Sequence, residues 1–268
     1  MSAGRGVPVI TDSPLCRRNP TVKLALLFVA SAALLFVFDP VIPALLYLLS
    51  LAAVLLAARV PWRVLALAHL PFIGFAFGLL SVNALSRPGE VVWEGIGLHV
   101  TVEGLTIGAS LALRTLVIGV LSIGFATTTD GIRLMTSLQQ HARLSPRLTY
   151  AVLAGYRMLQ DLPREWQIIR QAHAVRAPLR PDGRLPSSAR DFGKAAFSLL
   201  VVSLRKGERM AQALESRGLG LSPRTTWRPV ALGRADWLMA GAVLAVLVLV
   251  PAACTALGYL EGYKALFK

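Results

Sequence analysis

Apolar residues gather into five long stretches, at roughly 22–38, 41–58, 64–85, 105–126 and 237–257. Each approaches or reaches the ~20 apolar residues that an α-helix needs to cross a bilayer. The pattern predicts an all-α, polytopic membrane protein with about five transmembrane helices. The first two stretches are short and are joined by Phe38-Asp39-Pro40, so they predict a helical hairpin. The polar, Arg-bearing tail 1–21 is too long and too weakly apolar for a cleaved leader, so the first span is read as retained. Residues 86–104 are rich in Gly and Val, and the alternation of Leu98, Val100 and Val102 predicts a short extended piece before the fourth span.

Residues 127–236 break this pattern, because they contain no long apolar run and read instead as a bundle of helices between the fourth and fifth spans. Asp130 is placed to cap a short helix with Ile132, Met135 and Leu138 on one face. Pro146 suits a first helical position, and the pattern runs on to Asp161. Pro163 then restarts it, with Trp166, Ile169 and His173 on one face, and the helix ends near Ala177, ahead of Pro178. After a Pro/Gly/Arg loop, Ser188-Ala189-Arg190-Asp191 has the spacing of a capping box, in its Asp form. The helix it opens runs to Arg217 and stops at Gly218, a residue that tolerates the left-handed cap conformation. Its centre, 195–204, carries no charge over ten residues and is too short to span, so it is expected to be buried.

Charge then sets the topology. The chain has 28 Lys and Arg against 14 Asp and Glu, for a net charge of +14. Segment 127–236 holds 18 of those cations and 8 of the acids. With the N-terminus in the cytoplasm, 24 cations lie inside, Arg87, Lys264 and Lys268 lie outside, and Arg114 falls within a span. That asymmetry follows the positive-inside rule. It predicts a multi-pass protein of a bacterial or archaeal type cytoplasmic membrane, with the N-terminus and residues 127–236 cytoplasmic and the tail 258–268 external. Membrane lipid accounts for much of the positive charge, and no nucleic-acid-binding motif accompanies it. Cys16 and Cys254 imply neither a disulfide nor a metal site, and His69, His99, His141 and His173 lack ligand spacing. No cofactor is expected. Gly193-Lys194-Ala195 fails the phosphate-loop pattern, and neither Gly-x-Ser-x-Gly nor His-Glu-x-x-His occurs, which disfavours an enzyme.

Two helical stretches of the insert end in an arginine beside small residues: Val175-Arg176-Ala177 and Ser216-Arg217-Gly218. A cation at a helix C-terminus gains a few tenths to ~1 kcal/mol from the helix dipole, which accounts for one such end by itself. Two in one basic insert point to docking, since a guanidinium is a planar fork suited to carboxylates and carbonyls of a partner. The run from Arg209 to Gly218 resembles the second signature of the transmembrane T component of energy-coupling factor (ECF) transporters. Val175-Arg176-Ala177 is similar to the first signature, with Val for the usual Ala and Ala for the usual Gly. Asn19-Pro20…Lys23 resembles that family's start of the first span, and Thr101-Val102-Glu103-Gly104 followed by Arg114 its start of a later one. The resemblance implies a non-catalytic coupling subunit, partnered by two ABC ATPase subunits and a small membrane protein that captures a vitamin or a transition-metal ion. It implies that Arg176 and Arg217 each contact one ATPase and that 195–204 slides against the capture subunit. Two rival readings stay open: a membrane enzyme acting on lipid phosphates, and a scaffold without transport. Arg114, an intramembrane charge, requires a partner or a hydrated cavity. Gly74-Phe75-Ala76-Phe77-Gly78 has the spacing that permits close helix contact.

Overall fold

The structure, a computed structural model, describes residues 13–95, 98–176, 188–221 and 229–257. In chain order these form α1 (Pro20–Leu35), α2 (Val41–Leu56), α3 (Trp62–Ser86), β1 (Val91–Gly95), β2 (Leu98–Thr101), α4 (Val102–Thr128), α5 (Gly131–His141), α6 (Pro146–Arg176), α7 (Ala189–Ser216) and α8 (Arg234–Ala256). Among the described residues the fold is all-α apart from one antiparallel β-hairpin, β1–β2, which occupies the predicted extended piece and has an irregularity between Val91 and Trp93. Two compact units are distinguished: residues 1–134 with 230–268, and residues 135–229.

In the first unit, α3, α4 and α8 are each long and apolar enough to cross a membrane. The helices α1 and α2 have 16 residues each, and each packs on α4 and α8 rather than mainly on the other, so the expected hairpin is not a closely paired one. At 1.5 Å per residue each is about 24 Å long, shorter than the ~30 Å hydrocarbon core. The hub is α4, on which α1, α2 and α3 all pack, while α8 packs on α1 and α2. One apolar cluster joins Val54, Ala58 and Leu65 to Val120 and Ile123. Another joins Leu34, Ile42 and Leu46 to Val117 and Cys254.

Small residues on α4 allow this closeness. A Cβ at Gly104 would stand 2.5 Å from the Asn83 carbonyl oxygen, and one at Gly108 would stand 3.0 Å from that of Leu80. The pair Gly104/Gly108 is therefore the working small-residue face. Gly74 and Gly78, which carry the same spacing on α3, have open space where a Cβ would point. The sequence pattern was identical in both helices, and packing chose the other one.

The end of α1 and the turn that follows it are held by Arg114. Its Nη2 donates to the Val37 oxygen at 2.7 Å and to the Leu35 oxygen at 3.4 Å. The guanidinium lies 5.9 Å from the Phe38 ring centroid. Ser110 Oγ donates to Val37 and Asp39 oxygens at 3.4 and 3.5 Å. The intramembrane charge thus closes the turn between α1 and α2. At its own start, α4 is capped by Thr101, whose Oγ1 accepts from Gly104 N at 3.1 Å and donates to the Arg87 oxygen at 3.0 Å.

In the second unit, α6 runs unbroken through Pro163, where the sequence predicted a stop and restart. A proline inside a helix removes one hydrogen bond and crowds the carbonyl four residues back, at a cost of ~3 kcal/mol. It does not forbid the helix when strong helical stretches continue on both sides, as they do in α3 and α8 at Pro71 and Pro251. The predicted capping box forms between Ser188 and Asp191, and Ser145 Oγ, which the sequence pattern does not single out, accepts from Leu148 N. In the short α5, Asp130 accepts from Arg133 N at 3.2 Å.

Replacing Gly104 by Ala drives a methyl into a backbone carbonyl and is expected to destabilise by about 1–3 kcal/mol. Gly74→Ala, pointing into open space, is expected to leave the melting temperature in detergent unchanged. Equal effects of the two would contradict the assignment of the packing face. Arg114→Met strands the α1 carbonyls at a cost of about 1–3 kcal/mol. Thermal unfolding should show a clear loss for Arg114→Met and a smaller one for Arg114→Lys, which keeps a donor. An unchanged Arg114→Met protein would refute the capping role.

Candidate functional site

The insert is built on α6 and α7. Trp166 meets Phe192 edge to face at 5.2 Å between ring centroids. An ion pair joins Lys206 to Glu165. The ring of His173 lies 3.3 Å from Ser198 Oγ. The predicted face of Trp166 and His173 is thus the one that meets α7. These contacts engage 165–173 of α6 and 192–206 of α7, about 12 Å of one helix and about 21 Å of the other.

Sequence chemistry fixes how α7 ends. Gly218 has φ +81°, a left-handed conformation that an L side chain adopts only with strain. The Leu219 amide donates back to the Leu214 oxygen at 3.0 Å, and the Gly218 amide to the Glu215 oxygen at 2.9 Å. This pair of bonds is the Schellman closure, which satisfies two of the last carbonyls. Ser216 Oγ donates to the Ala213 oxygen at 3.1 Å. Arg217 sits at the cap position with its side chain exposed. No hydrogen bond or ion pair occupies its guanidinium among the described residues.

The other signature closes α6. Arg176 is its last residue and is exposed, and Val175 is 88% exposed. Ala177 lies outside the described residues. The two arginines are not brought together. Arg176 lies just beyond the His173–Ser198 contact. Arg217 lies a further ~28 Å along α7 from Ser198.

The apolar centre of α7 departs from expectation. Ala195 is buried, but Phe197, Leu200 and Leu204 are 67%, 64% and 64% exposed. Ten uncharged residues wrap the whole circumference of a helix, and α6 covers one side of it. The remainder forms an apolar stripe at i, i+3 and i+7, open to a partner rather than part of a core. Leu148, Val152 and Leu159 of α6 are likewise exposed. Such patches mark interaction surfaces.

A further polar cluster lies in the first unit, at the helix ends adjoining the insert. Asn19 caps α1 by accepting from Thr21 N at 2.9 Å, and its own amide donates to Asp236 Oδ1 at 2.9 Å. Asp236 Oδ2 accepts from Gly233 N at 2.9 Å, closing the start of α8. Lys23 Nζ donates to the Thr128 oxygen at 2.9 Å and to its Oγ1 at 3.3 Å, at the end of α4. Arg133 of α5 donates to the Cys16 oxygen at 3.2 Å. Asn19, Lys23, Thr128 and Asp236 are all buried. Sequence reading marked Asn19 and Lys23 by motif and missed Asp236 and Thr128. The signal for Asp236 was its place three residues after Gly233, where a carboxylate caps a helix.

A family model described as CbiQ, cobalt transport protein, matches residues 11–227. The energy-coupling factor transporter transmembrane protein EcfT of Heliobacterium modesticaldum is 26% identical over 264 residues, covering 93% of this chain and 96% of the relative. That of Bacillus selenitireducens is 29% identical over 261 residues, covering 94% and 95%. That of Acidaminococcus fermentans is 26% identical over 176 residues, covering 63% and 66%. With a basic two-helix insert, membrane-spanning helices on either side of it and a family match over most of its length, the chain belongs to the CbiQ family, the transmembrane T components of ECF transporters.

Proposed function

We propose that this protein couples two ATPase subunits to a small membrane protein that captures substrate for uptake. The observation that carries the reading is the pair of exposed arginines at the C-terminal ends of α6 and α7, neither guanidinium with a hydrogen bond or ion pair among the described residues. Each guanidinium presents its full fork to a partner's carboxylates or carbonyls. Their separation of tens of Å along the helices suits two partner subunits rather than one site. Rigid closure of α7 around Gly218 holds Arg217 in place, so a push on that end is not lost in fraying. The exposed stripe of Phe197, Leu200 and Leu204 is the surface for the capture subunit.

In this reading residues 127–236 form the cytoplasmic coupling domain, the N-terminal tail 1–21 is cytoplasmic, and 258–268 is external. The location of 24 of 28 cations supports that orientation. The protein itself performs no chemistry; hydrolysis belongs to the ATPases and cargo selection to the capture subunit. A vitamin or a transition-metal ion is the cargo class, and the family description as a cobalt transport protein supports the metal.

The test is co-purification in mild detergent together with uptake in cells. Reversing the charge in Arg217→Glu replaces an attraction by a repulsion at a desolvated contact, and recovery of an ATPase should fall about tenfold or more. Uptake should be abolished. Arg176→Glu is expected to act in the same direction but less, because its small neighbours are replaced by Val175 and Ala177. Intact assembly and uptake in Arg217→Glu would refute the proposal. Transport activity from the purified chain alone, without an ATPase, would refute it equally.

A further inference from the structure

The cluster around Asn19 and Lys23 is not used by the docking contacts, yet it joins the two places where the chain leaves and re-enters the first unit. Thr128 ends α4, Arg133 lies in the first turns of α5, and Asp236 lies in the first turn of α8. All three are held by one short stretch, 16–23. Two of these bonds have the sign that the helix dipole favours. A Lys ammonium meets the C-terminal carbonyl of α4, and an Asp carboxylate sits at the N-terminus of α8. The Lys23–Thr128 and Asn19–Asp236 bonds are buried, where a lost partner leaves an uncompensated polar group or charge, and the Arg133–Cys16 bond is part-buried. They are also remote in sequence, with Lys23 and Thr128 separated by 105 positions and Asn19 and Asp236 by 217. Simple anchoring of α1 would need one such contact. Clasping both connections at a common point makes them move together.

We infer that residues 16–23, with Lys23 and Asp236 as positioning residues, form the fulcrum that passes motion of the insert to α4 and α8. This rests on the coupling function proposed above. A displacement of the insert pulls on residues 129–133 and 230–235. With the clasp closed, the pull acts on α1, α4 and α8 as one body. With it open, each connection absorbs the displacement locally.

The test uses the full complex with its ATPases in lipid nanodiscs and hydrogen exchange read by mass spectrometry, with ATP plus vanadate against ADP. In the wild type, nucleotide should change exchange both in the last turns of α7, at 205–217, and in the clasp segments, at 124–134 and 234–240. In Lys23→Met the change at 205–217 should persist, while the roughly tenfold nucleotide-dependent change at the clasp segments should collapse to near unity. Lys23→Arg, which keeps a cationic donor, should restore most of it. Asp236→Asn removes the charge and leaves one carbonyl oxygen where two carboxylate oxygens accept from the Asn19 and Gly233 amides, so it weakens the clasp and provides a second variant if Lys23→Met does not accumulate. An undiminished nucleotide response at the clasp in Lys23→Met and Asp236→Asn would overturn the fulcrum. So would faster exchange that is equal with ATP and ADP, which is the signature of a merely structural role. Absence of any nucleotide response at 205–217 in the wild type would fault the docking reading instead, so the two failures are separable.

Discussion

A helix that ends inside or at the edge of a membrane leaves carbonyls or amides that water cannot reach, and this fold depends on how those ends are satisfied. Each α-helix terminus has four such groups, and in a low-dielectric setting an unmet one costs several kcal/mol. The first unit meets them with its few buried polar side chains. Arg114 serves the end of α1, Lys23 the end of α4, Asp236 the start of α8, Thr101 the start of α4, and Asn19 the start of α1. Charges that look expensive in an apolar chain are thus the groups that permit short helices to end where they do. Their partners fix the register of α1 against α4 at both of its ends.

That arrangement separates a stiff part of the molecule from a presenting part. In the first unit, glycines on α4 bring α3 within backbone contact, and apolar clusters fill the spaces around it. The insert instead leaves apolar and cationic side chains exposed on α6 and α7. The Schellman closure at Gly218 gives the exposed Arg217 a fixed platform. A guanidinium on a frayed end would lose orientation and part of its binding energy to ordering.

Much of this was legible in the sequence because the signals are local. Ser188…Asp191, Ser216-Arg217-Gly218 and Pro146 each state their cap or boundary within a few residues, and the structure forms each of them. What the sequence did not disclose depends on neighbours. The partner of Arg114 is a pair of backbone carbonyls, and every residue carries one, so composition cannot name it. Gly104/Gly108 and Gly74/Gly78 share one spacing, and only packing tells the contact face from the open one. Residues 195–204 were expected to be buried from their lack of charge, but apolar character does not say whether the cover is this chain or another. Pro163 does not break α6, because the continuous helical tendency on both sides outweighs one lost hydrogen bond.

In the coupling function proposed above, the ends of α6 and α7 are the points of contact with the ATPases. The most direct measurement places a photo-cross-linking residue at 217, and separately at 176, in the complex assembled in membranes. The account predicts that each position captures an ATPase subunit, while position 74, which faces open space within α3, captures none. Cross-links from 217 and 176 only to lipid, or none at all in a complex that still transports, would contradict it.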